Sequence, residues 1–350
     1  MTVDMGEIVL KNKMKLWKKI LLVIGIILMI LALIGMYFLY GPDKEFRNLF
    51  VTSCMGTMTM TWLPGVFYSA QTIDEIMLNN RIIETGATTN TEEVQIGSTD
   101  KVIYTSEEEK TLLTRENEDD KYNKVEFKLK DGNRAWIIAV FDPADVSVGL
   151  SSKLGKSRAT TLDIVKENNA LVGINAGGFE DDGWGDGTSP QGTIIKDGKI
   201  VYQGPNGTGN SISLTYDNKL FLSTAEAKDL IEKHNVRDSV EFGPFLIVNG
   251  TPTQIIGDGG WGRAPRCIIA QRKDGVILFL VTEGRRYGFF DGANMNEIIS
   301  ILTKYGAYNA ANLDGGASTT LIENNKMLNK HYTAIVGSGG RGVSNAFIVK

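Results

Sequence analysis

The segment Asn309-Ala-Ala-Asn-Leu-Asp-Gly-Gly-Ala-Ser318 runs a strand-like apolar pattern, Ala307 to Leu313, straight into an aspartate and two glycines. Glycine permits positive φ and lets backbone N–H groups approach a ligand closely, so the Asp314 carboxylate is expected to project at a strand end where backbone donors converge. Two further clusters punctuate the chain in the same way, Asn175-Ala-Gly-Gly-Phe179 after the run Ala170–Asn175 and Gly257-Asp-Gly-Gly-Trp-Gly262. Working outward, strand patterns recur at Ala135–Phe141, Gly192–Ile195, Lys199–Tyr202, Ser211–Tyr216, Val240–Val248, Ala264–Ala270, Val276–Thr282 and Asn345–Val349. Helical patterns are few after the N-terminal third. Thr160–Asn168 is short, and Met295, Ile298, Ile299 and Leu302 share one face behind Asn294 and Glu297, which have capping-box spacing. Many strands, few helices and no βαβ rhythm predict an α+β class, a strand-rich mixed sheet domain.

The chain has 350 residues, 42% hydrophobic and 22% charged, with a net charge of −4. Residues 1–19 carry five lysines against Asp4 and Glu7, residues 84–121 carry an acidic excess, and the remainder is neutral. A neutral body without a basic stripe argues against nucleic acid as a partner, because clustered Lys and Arg supply most of that affinity. Cys54 and Cys267 alone do not make a disulfide framework, and His234 and His331 are too few for a zinc site. No metal or other cofactor is expected.

Ile20–Tyr40 is free of charge and long enough to cross a bilayer core of about 30 Å. The lysines at 11, 13, 15, 18 and 19 precede it and a balanced flank follows, which predicts a single pass with the N-terminus cytoplasmic and the body extracytoplasmic at the cell membrane. The run exceeds a signal-peptide core and no small-x-small site closes it. Val51-Thr52-Ser53 lacks the leucine a lipoprotein signal places before its cysteine. The resulting organisation is a tail over 1–19, a membrane helix over 20–40, a juxtamembrane segment over 41–83 with a helix-like stretch at Thr72–Asn79, an acidic flexible linker over 84–123, and the main domain over 124–350.

Asp314 and Glu283 follow core strands and are the candidate catalytic carboxylates, a pair of the kind that glycosidic cleavage uses. Arg263, Arg266 and Arg285 are the cations expected near them, since guanidinium matches phosphate bidentately and stays charged. Salt bridging to Asp258 or Glu283 is the competing role for these arginines. A serine reading at Ser318 lacks the Gly-x-Ser-x-Gly elbow and has only His234 or His331 as base. Asp181, Asp182 and Asp186 do not have EF-hand spacing.

Five segments, Asn175–Phe179, Phe242-Gly-Pro-Phe-Leu-Ile-Val-Asn-Gly250, Arg263-Ala-Pro-Arg266, Glu283-Gly-Arg285 and Asn309–Ser318, occur in the order found in the phosphodiester glycosidase family, which the chain resembles over about residues 130–350. Relative to that family, Glu283 replaces an aspartate, and Cys267, Ile268 and Ala317 also depart from the pattern. The resemblance implies hydrolysis of a sugar-1-phosphodiester bond in a phosphate-containing glycan such as a teichoic-acid-like polymer. Asp314 and Glu283 would be catalytic. Arg263, Arg266, Arg285, Asn175, Gly177, Gly178, Asn312, Gly315 and Gly316 would bind substrate. The competing expectation is a non-catalytic glycan-binding or assembly module.

Overall fold

The computed structural model describes residues 5–84, 86–97, 104, 106–180, 186–286, 288, 290–331 and 339–350, with side chains from residue 15 onward. Two compact units are present, residues 1–50 and residues 51–350. In the first, a helix runs Met5–Tyr40, so it starts well before the apolar run. Its portion Lys15–Tyr40 is 26 residues, none of them packed in protein, and is long and apolar enough to cross a membrane as an anchor or signal sequence.

The second unit is strand-rich, and among the described residues its strand pairings are antiparallel, giving the expected α+β class. A seven-stranded sheet runs in the order Thr251–Pro252, Phe245–Val248, Ala307–Asn312, Arg266–Arg272, Ile277–Thr282, Arg134–Val140, Tyr122–Lys128. One five-stranded sheet runs Lys326–Met327, Leu321–Glu323, Val172–Asn175, Ala346–Val349, Val146–Gly149. Another runs Lys199–Tyr202, Ile194–Lys196, Val236–Glu241, Ser211–Thr215, Leu220–Ser223.

Side-chain alternation explains the layering. Along Arg134–Val140, Trp136, Ile138 and Val140 enter a core shared with Val172 and Ile174 of one small sheet and Ile212 and Leu214 of the other. Ala135, Ile137 and Ala139 face the opposite way, against Met295, Ile298 and Leu302 of the helix Met295–Lys304. The sheet is therefore buried on both faces, and its central strands read as unbroken apolar runs rather than alternating ones. That helix begins with the capping box foreseen at Asn294 and Glu297. Thr160 and Asp163 form a second box ahead of Thr161–Glu167.

The apolar run Val240–Val248, expected as one strand, is two strands in different sheets. Phe242-Gly-Pro interrupts it because proline offers no ladder donor, and the chain crosses from Val236–Glu241 to Phe245–Val248 at that point. Within the acidic stretch 84–123, residues 107–113 are helical. Ser106 caps a helix at Glu107–Leu113 that buries Leu112 and Glu109, and Glu109 pairs with the buried Arg272. A three-glutamate cluster hid an amphipathic turn whose one inward acid meets a cation.

Candidate active site

Antiparallel register draws distant motifs to one set of strand ends. Ile268 stands opposite Asn312 and Phe245 opposite Ala311. Leu321 stands opposite Ile174, Ala346 opposite Asn175, and Arg266 opposite Thr282. The Asp314 amide donates to the Ala176 carbonyl at 2.9 Å, and the Asp314 carbonyl accepts from Asn175 Nδ2 at 2.7 Å. Asn175 Oδ1 accepts the Thr320 amide at 2.9 Å, so this fully buried side chain clamps the two arms of the Asp314 turn to each other.

The glycines serve close approach. Gly177 donates to Asn345 Oδ1 at 2.6 Å, and a Cβ there would meet Val240 Cβ at 3.1 Å. At Gly178 a Cβ would lie 2.8 Å from Gln191 Oε1, and at Gly315 it would lie 3.0 Å from the Pro265 carbonyl. Gly316 has φ of +60° and donates to that same carbonyl at 2.9 Å. Asn312 Nδ2 donates to the Gly243 carbonyl at 2.9 Å, while its buried Oδ1 has no partner among the described residues.

Three of the charged candidates have structural partners instead of open faces. Glu283 is 1% exposed and accepts from Arg134 Nη2 at 2.7 Å and from the Lys330 amide at 2.8 Å, which makes it a positioning group for residues 329–331. Arg263 pairs with Glu297 at 2.9 Å and Asp131 at 3.8 Å, rather than with Asp258 or Glu283. Arg266, 3% exposed, donates to the carbonyls of Ala293, Trp261 and Gly262 at 3.1, 2.8 and 2.9 Å. Burial, with Arg285 nearby, pulls its guanidinium down to about 9, still protonated at neutral pH. The loop Trp261–Gly262 and Ala293 thus supply this guanidinium with carbonyl partners.

Arg285 lines a cleft. Its backbone sits at φ +54°, a conformation that costs a non-glycine residue roughly 1 kcal/mol or more, and its amide is held by the Asp291 carbonyl at 3.1 Å. Its side chain lines a small cleft with Pro265, Gly316, Thr319, Lys330 and His331. Burial lowers its pKa. His331 and Thr319 were not singled out as site residues, and no local pattern marks them. His331 Nε2 lies 3.3 Å from Thr320 Oγ1, and burial lowers its pKa below the usual histidine value, with a bond to the Ala317 backbone and the Glu283 charge acting in the opposite direction. Thr319 is fully buried and its Oγ1 has no partner among the described residues.

Both cysteines are buried free thiols. Burial pushes Cys54 to about 11 and Cys267, with Asp314 beside it, well above the ordinary value, so neither is a thiolate at neutral pH. Among the described residues no group of His, Cys, Asp and Glu is arranged to hold a metal ion. Asp181 and Asp182 lie outside the described residues, as do residues 332–338.

The sequence pattern of the phosphodiester glycosidase family matches residues 168–350. The chain belongs to the phosphodiester glycosidase family. It is 27% identical over 182 residues to the SPbeta prophage-derived uncharacterized protein YomE of Bacillus subtilis (strain 168), a match covering 49% of this chain and 27% of that protein. The match thus spans about a quarter of that relative's length. The fold resembles the catalytic domain of zebrafish N-acetylglucosamine-1-phosphodiester alpha-N-acetylglucosaminidase, auto-inhibited by its pro-peptide, with a TM-score of 0.54 and 18% identity over 67% of this chain and 85% of that one. A hypothetical protein from Synechocystis aligns with a TM-score of 0.43 and 17% identity over 65% of this chain and 62% of that one. The body of this chain is thus a phosphodiester glycosidase-like domain, and Asp314, Arg285 and the strand-end glycines all fall inside the matched residues.

Proposed function

We propose that the domain hydrolyses the bond between a sugar anomeric carbon and a phosphodiester oxygen, in a cell-surface glycan such as a teichoic-acid-like polymer. The observation that supports this reading is a cleft lined by Arg285 and the neutral His331, whose Gly316 lies two residues along the turn from Asp314. Phosphate is already a good leaving group, so charge neutralisation is the larger demand, and the guanidinium of Arg285 meets it from a fixed position. Water's oxygen joins the anomeric carbon, directly or after Asp314 has formed a glycosyl ester. The carbon–oxygen bond to phosphate breaks, and water's proton passes to Asp314 or His331. Asn175 and Glu283 hold these groups in place. The lysine-rich flank and the exposed apolar helix support an N-terminus in the cytoplasm with the domain outside.

The full-length protein in detergent should release reducing sugar from a sugar-1-phosphodiester, and Asp314→Asn should abolish release with substrate binding retained. Saturable glycan binding without turnover across a panel of such diesters would favour the non-catalytic alternative instead.

A further inference from the structure

A second, larger depression lies beside these strand ends. It is a groove of about 590 Å³, within the usual range of small-ligand sites. One wall is the segment Met77–Glu84, which precedes the matched family region, and it is held there by the strand pair Arg81–Ile83 with Gln254–Ile256. The other wall brings Gln191, Thr208, Asn210, Phe242 and Trp261. Phe242 and Trp261 meet edge to face, with centroids 6.3 Å apart.

The lining has the chemistry of a polyhydroxylated ring rather than of an anion. Two aromatic side chains line the groove and can meet C–H groups, with the Arg266 guanidinium 5.8 Å from the Trp261 ring. Among the described residues the Gln191 side-chain amide and the Trp261 indole N–H have no hydrogen-bond partner, so they are available to hydroxyls. Asn210 Nδ2 is turned to Glu84 at 3.2 Å, which leaves its carbonyl as an acceptor. Arg81 Nη1 donates to the Leu78 carbonyl, and the carboxylate of Glu84 stands in the same wall as this guanidinium.

The groove and the reacting centre share parts. Gly178, two residues from the segment holding Asp314, abuts both Gln191 and Phe242, and the Gly243 carbonyl accepts from Asn312. The loop carrying Trp261 is held by Arg266 through the carbonyls of Trp261 and Gly262.

We propose that this groove is a subsite for a neutral pyranose unit of the glycan, with Trp261 as its stacking platform and Gln191 and Asn210 as its hydrogen-bonding groups. The assignment rests on the glycosidase reading for its place in catalysis and on the groove itself for its ligand. Full-length protein in detergent would be assayed on a monosaccharide 1-phosphodiester and on a tetrasaccharide 1-phosphodiester. Trp261→Ala and Gln191→Ala should each lower kcat/KM on the tetrasaccharide by about fivefold to tenfold and leave the monosaccharide value unchanged, with Trp261→Phe recovering most of the loss. Equal loss on both substrates would overturn the proposal. If no diester is turned over, the hydrolase reading fails and the groove is tested by calorimetry with neutral tetrasaccharides of glucose, galactose and N-acetylglucosamine. Saturable binding lost in Trp261→Ala sustains the subsite, and absence of binding to all three overturns it.

Discussion

Thr319 is fully buried beside Arg285 and His331, yet its hydroxyl lacks a partner among the described residues. A buried unpaired hydroxyl costs stability, so an isosteric methyl there is neutral or stabilising unless the group serves a ligand. Thr319→Val is expected to keep or raise Tm while raising KM, read by calorimetry and steady-state kinetics. A lowered Tm with unchanged KM would make the hydroxyl structural. His331 gives a pH signature. Its folded pKa is lowered below the unfolded value of about 6.5, so between the two the unfolded chain binds more protons and stability falls as pH drops through that window. His331→Gln should flatten both that loss of Tm and the acid limb of the rate profile. Glu283 holds the neighbouring Lys330 amide from a buried ion pair with Arg134, so Glu283→Ala should cost on the order of 3 kcal/mol, seen as a lower urea midpoint, together with a loss of activity.

The helix Glu107–Leu113 contributes a buried ion pair as well as the core residue Leu112. Glu109 is 1% exposed and bonds Arg272, which also holds the Tyr305 carbonyl and Asp274. Removing one partner of such a pair leaves an uncompensated charge, and Glu109→Ala should destabilise the domain by about 3–5 kcal/mol, measured by urea unfolding. Glu107→Ala, on the exposed side of the same turn, should be within about 0.5 kcal/mol of the parent. The contrast is invisible in the run Glu107-Glu-Glu109, where three identical side chains differ only in which way the helix turns them. The split at Phe242-Gly-Pro is of the same kind. Proline marks a break in the apolar run, but the partners that separate Val236–Glu241 from Phe245–Val248 come from Ser211–Thr215 and Ala307–Asn312.

For the whole molecule, residues 51–350 form a compact unit apart from the N-terminal helix. Removing residues 1–43, ahead of the helix Lys44–Met55, should yield a soluble protein that keeps the activity of the full chain, whereas the full chain should sediment with membranes and resist carbonate extraction. Protease added to intact cells should reach the body. Its full protection would invert the proposed orientation.

Periodicity and punctuation were enough for much of this architecture. Apolar runs bounded by glycine and proline gave the strands, the Asn294 and Glu297 spacing gave the helix start, and the uncharged run gave the apolar N-terminal helix, because each of these rests on bonds or burial local to its own segment. Five ordered motifs, Asn309–Ser318 chief among them, also carried the family. The partner of each charge was not local. Glu283 and Arg134, Arg266 and the Trp261 carbonyl, and Glu109 and Arg272 are joined only by antiparallel register and loop closure, which place residues far apart in the chain within hydrogen-bond distance. Tertiary structure alone therefore decided which residues each arginine meets, since a buried charge takes whatever partner the fold delivers.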